Sequence, residues 1–307
     1  MPRSVQPSTK KSRDAASVIQ VPQWLQFPWL AHGFSTRQGG VSSLPGSRQG
    51  ANLNLGAASW DRPAHVLKNR KKLLAALHAD SMRLVALRQV HSDLIRFVEG
   101  TDNSEGTENP DGPLPGDGVV TNAPGLLLTI LVADCLPVLL IDVRQRAVAA
   151  LHCGWRGTLR RLAQKGVGRM MQMFGSRERD LRAAIGPGIG ACCYRVGQEV
   201  AEQFEAQFPY SQQLLERRTR PLSPMETKHP LLFSHLPKPV GPCNNEDVYL
   251  DLVRANLRQL QEAGVSEKHI FAEAPCTHCN PELFFSFRRD GALAGRMMGV
   301  IGIRPAK

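Results

Sequence analysis

Apolar residues follow three patterns along this chain. From Leu126 to Ala133, Val138 to Ile141 and Ala147 to Leu151 they run almost unbroken. Runs of that length with β-branched members predict strands buried on both faces. Arg83 to Val98 alternates weakly and predicts strand, turn, strand. Ala183–Ile185 predicts a short strand ending in the glycine-rich turn GPGIG, and Ile270 to Ile303 predicts further short strands. Helical spacing marks four other stretches. Asp61 is expected to cap a helix reaching about Ala79, with Pro63 in its first turn and Val66, Leu67, Leu73, Leu74 and Leu77 among its apolar positions. Gly154 to Phe174 carries Leu159, Leu162, Met170 and Met173/Phe174 near helical spacing, the methionines being expected to fill core. Val196 to Phe208 predicts another helix, and Leu250 to Ala263 a further one closed by Gly264.

The polar stretches separate these elements. His32 to Gly56, rich in Gly, Ser and Asn, predicts loop and short strand. Glu99 to Gly116 is acidic and rich in Gly and Pro, with Leu114 its one large apolar residue, and is expected as a mobile surface loop. Pro209 to Asn245 carries seven prolines and is expected to be irregular. Residues 1–20 are expected as a flexible tail, because they carry positive charge without the apolar core of a secretory signal. Strands and helices mix over residues 21–307 without a clean linker, which predicts a single domain of α/β (α+β) class with mixed β-sheets flanked by helices.

Composition narrows the function classes. The 307 residues are 42% hydrophobic and 21% charged, enough to bury a core and against a largely disordered chain. The apolar, charge-free candidate Gly118 to Ala133 is interrupted by Asn122 and Pro124, so no membrane span is expected. The seven cysteines, an odd number spread through a long chain, argue against a disulfide framework and for reduced thiols in a cytoplasm, with metal binding or catalysis open to them. Net charge is +11, which favours anionic partners. The basic residues are scattered and only three Tyr and four Trp could stack bases, so specific nucleic-acid binding is disfavoured.

Three positions carry candidate chemistry: His91 in RQVHSD, Cys135 in VADCLPV and His152 in ALHCGWRG. Each ends or nearly ends an apolar strand-like run, where a rigid sheet presents side chains to a shared point. Two imidazoles and a thiolate are good zinc ligands, and three protein donors leave a tetrahedral corner open for water or substrate. The same residues also admit a Cys/His hydrolase with Cys135 as nucleophile and His152 as base, or ordinary packing in the core. Pro275-Cys276-Thr277-His278-Cys279 matches half of the zinc nucleobase-deaminase signature. No His or Cys in the chain has Glu two places later, so the other half is missing and that fold is rejected.

Taken together, HGFSTRQGG (32–40), NLNLG (52–56), RQVHSD (88–93), DGVVT (117–121), ADCLPVLLID (133–142), HCGWRGT (152–158), IGPGIGACCYRVGQEV (185–200), YLDLVRANLRQLQEAGV (249–265) and CTHCNPELFFSFRRDGALAGRMMGVIGI (276–303) resemble the laccase-domain, or multicopper-polyphenol-oxidase-like, family. The resemblance implies a layered α/β sandwich in one catalytic domain and metal ligands at His91, Cys135 and His152. It implies a purine nucleoside phosphorylase acting on adenosine, inosine and methylthioadenosine, with adenosine deamination as a further activity. The older family label implies copper and phenol oxidation instead. A blue-copper plus trinuclear oxidase needs many closely spaced histidines, and this chain has nine with no H-x-H pair. Copper would still bind a Cys/His/His site adventitiously. Phosphorolysis needs a phosphate cradle, for which Arg37 in STRQGG and Arg156 at the helix start Gly154–Thr158 are candidates. Their alternatives are a solvated loop arginine and a structural ion pair. Asp134 and Asp93 are candidates to orient the imidazoles or move protons. Cys192-Cys193 matches paired cysteines of that family, with close packing as the plain alternative; Cys279 and Arg195 depart from its pattern.

Overall fold

Two of the central apolar runs, 138–141 and 147–151, pair side by side, and the third, 126–133, lies in a second sheet across the core. The alternation of their residues decides the layering. The structure, a computed structural model, describes residues 15–45, 51–100, 114–219, 228, 246–273 and 275–306. In chain order it contains β1 (Val18–Ile19), β2 (Leu30–Ser35), β3 (Gln38–Ser42), α1 (Pro63–Ala76), β4 (Arg83–Ala86), β5 (Ile95–Phe97), β6 (Gly118–Thr121), β7 (Leu126–Val132), β8 (Leu136–Asp142) and β9 (Ala147–Cys153). There follow α2 (Trp155–Leu159), α3 (Leu162–Phe174), β10 (Leu181–Ile185), β11 (Arg195–Val196), α4 (Gln198–Gln207), β12 (Leu215–Thr219), β13 (Glu246–Leu250), α5 (Leu252–Glu262), β14 (Ile270–Phe271), α6 (Phe287–Asp290) and β15 (Met297–Ile303).

Two mixed sheets face each other. One runs β1-β2-β15-β7-β4 and the other β14-β10-β8-β9-β6-β5, with a small third sheet of β11-β13-β12. On β8, Leu139 and Ile141 point between the two large sheets, where they meet Leu128 and Ile130 of β7, Val148 of β9 and Ile301 of β15. The alternate residues Leu136, Val138 and Leu140 point outward onto Leu162, Val167 and Met170 of α3 and Leu252 and Leu260 of α5. On the far side Leu127, Met298 and Val300 are covered by Leu73 of α1 and by Leu77. Helices therefore cover both outer faces of a double sheet, so the strands have no water-facing side and read as continuous apolar runs.

Several local expectations change. The segment expected as a flexible tail is seated from residue 15 onward: Ala16 is buried and β1 pairs antiparallel with β2, while residues 1–14 lie outside the described set. The apolar pair Val18–Ile19 gains a sheet edge there, through pairing with Ser35 and Phe34 that local composition does not reveal. Asp61 does not cap α1. Its carboxylate accepts from Ser42 Oγ (2.6 Å), Asn54 Nδ2 (2.8 Å) and the Arg62 amide (2.9 Å), so it ties loops together ahead of the helix. The buried stripe of α1 runs through Val66, Asn69 and Leu73, while Leu67 is exposed. Asn69 belongs there because its amide reaches Ser42 Oγ and the Asn54 carbonyl, and its carbonyl oxygen accepts from the Val41 amide. The single helix expected over 154–174 is broken between α2 and α3, where Arg161 is left-handed (φ 60°). The expected mobile loop falls largely at 101–113 and most of the irregular proline-rich stretch at 220–245; all of these except residue 228 lie outside the described residues.

Helix α3 sits close on the sheet because Gly166 has no side chain: a Cβ there would stand 2.4 Å from Leu151 Cδ1 and 3.3 Å from Leu140 Cδ1. Gly168, two residues on, faces open space. Gly166→Leu is therefore expected to lower unfolding free energy by about 1–3 kcal/mol through overpacking, and Gly168→Ala to raise it by roughly 0.5–1 kcal/mol through helix propensity. Denaturant unfolding of the two variants checks both signs.

Candidate metal centre

Sheet pairing brings two of the three candidate donors together. Cys135 immediately precedes β8 and His152 is the penultimate residue of β9, and the antiparallel register sets Pro137 opposite His152. His91 arrives from the connection that leaves the first large sheet at β4 and enters the second at β5. Gln89 holds the start of that connection to β7, donating to the Leu131 carbonyl (2.9 Å) and accepting from the Leu131 amide (2.8 Å). One ligand atom from each of His91, Cys135 and His152 lies within 4.8 Å of the others. The two imidazoles meet edge-on with centroids 5.0 Å apart.

Asp117, at the start of β6 and fully buried, organises this meeting. Its carboxylate accepts from the backbone amides of Val90 (3.2 Å), His91 (3.1 Å) and Ser92 (2.6 Å) and from Ser92 Oγ (2.7 Å). It also accepts from His152 Nδ1 at 2.8 Å. His91 is left-handed (φ 56°), a conformation uncommon for a residue with a side chain. The Asp117 grip on the amides of residues 90–92 and the Arg160 guanidinium on the His91 carbonyl hold it there. Burial opposes the Asp117 charge, but hydrogen bonds from His152 and Ser92 outweigh it and hold the carboxyl far below the ordinary range. With its Nδ1 proton committed to Asp117, His152 presents Nε2 to a cation, the usual device for orienting a metal-binding imidazole.

The donors fit an ion. A tetrahedral zinc with S at about 2.3 Å and N at about 2.0 Å sets its donors roughly 3.3–3.6 Å apart, and the three donor atoms here all lie within 4.8 Å of one another. Gly154 leaves the space open, since a Cβ there would come 2.7 Å from Cys135 Sγ. Burial pushes the Cys135 thiol up, yet the His152 charge and hydrogen bonds from His152 and His91 more than reverse this and bring it to about 6. Burial likewise pushes His152 down, and Cys135 and Asp117 lift it to about 9. Both shifts favour the thiolate–imidazolium form of the pair over the neutral one.

The group opens into a cavity of about 530 Å³ lined by Leu87, Gln89, Leu131, Ile189, Tyr194, Phe287, Arg288 and Arg296 together with the three donors. The Arg288 guanidinium lies 5.1 Å from the Tyr194 ring centroid, and that of Arg296 5.8 Å from Phe287. The structure does not bring Arg37 or Arg156 to this cavity. Arg37 donates to Asn52 Oδ1 and the Pro281 carbonyl and lies over Phe285, while Arg156 lies over Trp155. Asp93 pairs with Lys165 and not with an imidazole. Asp134 lines the cavity, but its carboxylate accepts from Thr277 Oγ1 (2.6 Å) and the Arg288 amide (2.7 Å), so it fixes the opposite wall. Asp117, Arg288 and Arg296 are missed by sequence reasoning. The signal for Asp117 is a carboxylate directly ahead of the apolar residues of β6; the arginines stand among others with no distinguishing pattern.

A double-sheet α/β fold with a Cys/His/His group at the foot of an open cavity defines a class of metal-binding-competent α/β proteins. The chain belongs to the family described as multi-copper polyphenol oxidoreductase laccase, whose model matches residues 31–304. It is 34% identical over 283 residues to the purine nucleoside phosphorylase YlmD of Geobacillus stearothermophilus, covering 91% of this chain and 92% of that one. It is also 34% identical to the purine nucleoside phosphorylase YfiH of Escherichia coli, covering 93% and 98%. The crystal structure of Bacillus licheniformis hypothetical protein YfiH matches with a TM-score of 0.77 at 32% identity, covering 95% of this chain and 98% of that one. Among the described residues no helix is long and apolar enough to cross a membrane.

Two outcomes follow from this geometry. Asp117→Asn is expected to weaken zinc binding about 10–100-fold, read by chelator competition, because the imidazole loses its charged partner and the His91 loop its clamp. In metal-free protein, thiolate ultraviolet absorbance is expected to fade as pH drops through about 6, and Cys135→Ala is expected to remove that transition.

Proposed function

We propose that this protein is a zinc-dependent purine nucleoside phosphorylase for adenosine, inosine and methylthioadenosine, with adenosine deamination as a second activity of the same site. The observation that carries the reading is the three-donor group set beneath a cavity that is apolar and aromatic on its walls and cationic at two points. His91, Cys135 and His152 would hold the zinc, which would supply a Lewis acid. The chain's own residues do the rest. Leu87, Leu131, Ile189 and Tyr194 offer faces of the size and chemistry of a purine and its sugar. Arg288 and Arg296 take the phosphate, a role for which Arg37, which does not line the cavity, is less well placed. A phosphate oxygen bonds the anomeric carbon as the glycosidic bond breaks, and the electron pair leaves with the base. Asp117 keeps the His152 proton on Nδ1 throughout, so that imidazole stays a fixed donor.

Copper-dependent phenol oxidation finds less support. Among the described residues two groups could hold a metal, His91/Cys135/His152 and Cys192/Cys193/Cys276/Cys279, and together they offer two imidazoles. A four-electron oxidase needs a larger histidine set than that. A second reading, a Cys/His hydrolase, is favoured by one observation, the Cys135–His152–Asp117 succession with a thiolate near neutral pH.

Zinc-loaded protein is expected to release free base from inosine or adenosine only when phosphate is present. Cys135→Ala should lose on the order of 10²-fold or more in kcat/KM, and Arg288→Ala should raise KM for phosphate about tenfold, the worth of one charge-assisted hydrogen bond. Phosphate-independent turnover by metal-free protein, stopped by alkylation of Cys135, would replace the phosphorylase reading with the hydrolase.

A further inference from the structure

Four of the cysteines converge at a place the reaction does not use. Cys192 and Cys193 lie in the turn after β10, and Cys276 and Cys279 in the segment ahead of α6; their sulfurs all lie within 4.8 Å of one another. The Cys193–Cys279 separation is 3.2 Å and Cys192–Cys279 is 3.5 Å, with all four thiols free of disulfide bonds. A disulfide needs about 2.0 Å. A tetrahedral zinc with Zn–S near 2.3 Å sets its sulfurs about 3.8 Å apart, which is the spacing this group approaches.

We propose that Cys192, Cys193, Cys276 and Cys279 form a second metal centre, a four-thiolate zinc site that staples the turn after β10 to the segment ahead of α6. Its surroundings are those of a thiolate cage. The Gly190 amide donates to Cys276 Sγ at 3.2 Å, the kind of N–H···S bond that orients a ligating sulfur. Gly190 packs closely on the group: a Cβ there would stand 3.2 Å from Cys276 Cβ and 3.3 Å from Cys192 Sγ. Arginines tie down the backbone on both sides: Arg218, paired with Glu216, donates to the Ala191 and Cys192 carbonyls, and Arg289, paired with Asp290, to those of Thr277 and His278. Cys192 and Cys279 are exposed, so the ion enters from solvent, and binding releases the thiol protons to water. No electron transfer is involved. C-x-x-C at 276–279 is a common zinc-ligand spacing.

The staple has a structural consequence. Gly188 bridges to Cys276, Thr277 holds Asp134, and Ile189 and Tyr194 line the cavity. The site therefore locks one wall of the cavity without touching the Cys/His/His group, and it stands or falls independently of the phosphorylase reading.

The test is metal content and cobalt spectroscopy of the full chain under reducing conditions. Wild-type protein loaded with zinc is expected to hold two ions, and both Cys135→Ala and the Cys192→Ser/Cys279→Ser pair one each. Cobalt added to Cys135→Ala, where the cluster is intact, should give the intense charge-transfer bands of a four-thiolate tetrahedral centre. Zinc should protect these four cysteines from alkylation, mapped by mass spectrometry on wild-type protein, so the result does not depend on the double variant folding. Cys135→Ala protein that binds neither zinc nor cobalt, disulfides joining these cysteines in protein kept reduced, or iron in this centre as purified would each overturn the assignment.

Discussion

A single buried carboxylate holds the candidate centre together. Asp117 has no contact with solvent, and an unpaired charge there would be costly. It is stable as an anion because amides from one loop, one hydroxyl and one imidazole all point at it. Satisfying that charge forces the loop carrying His91 against the end of β9 and sets the tautomer of His152. The left-handed backbone at His91 is the strain this arrangement absorbs. Binding geometry and the stability of the loop are thus the same set of hydrogen bonds.

The double sheet explains where the centre lies. Strands β8 and β9 are buried on both faces, so no functional side chain can project from their middles without displacing core. Chemistry is confined to the strand ends, and the β8–β9 register places Cys135 and His152 at the same end. The chain connects the two sheets there through the His91 segment, and the C-terminal region supplies Phe287, Arg288 and Arg296 as the facing wall. Asp134 mirrors Asp117 on that side: one carboxylate ties the donors, the other ties the wall through Thr277 and the Arg288 amide. The clustered thiols adjoin the same wall through Gly188 and Cys276 and share no ligand with the Cys/His/His group.

Some of this was legible residue by residue. The runs at 126–133, 138–141 and 147–151 read as doubly buried strands because burial on both faces removes polar alternation, and they are β7, β8 and β9. The α/β (α+β) class followed from the mixture of such runs with helical spacing, while the layering was implied by the family resemblance and is seen in the two large sheets. The helix boundaries were less legible. Asp61 has the residue type of a cap but spends its oxygens on Ser42 and Asn54, partners far from the helix start in the pattern of the chain. Asn69 reads as a polar surface position and is buried because distant groups satisfy its amide.

What the amino-acid order by itself determined was which stretches must be buried and which residues have the chemistry to bind an ion, since periodicity and side-chain type are local properties. It also supplied motifs specific enough to point to His91, Cys135 and His152. Only the tertiary structure decided that Asp117 clamps these donors, that Arg288 and Arg296 rather than Arg37 and Arg156 face the cavity, and that Cys192 and Cys193 meet Cys276 and Cys279. Each depends on groups tens to more than a hundred residues apart being brought within a few ångströms. Register between strands and closure of the connections set those distances, and no local pattern of polar and apolar residues encodes them.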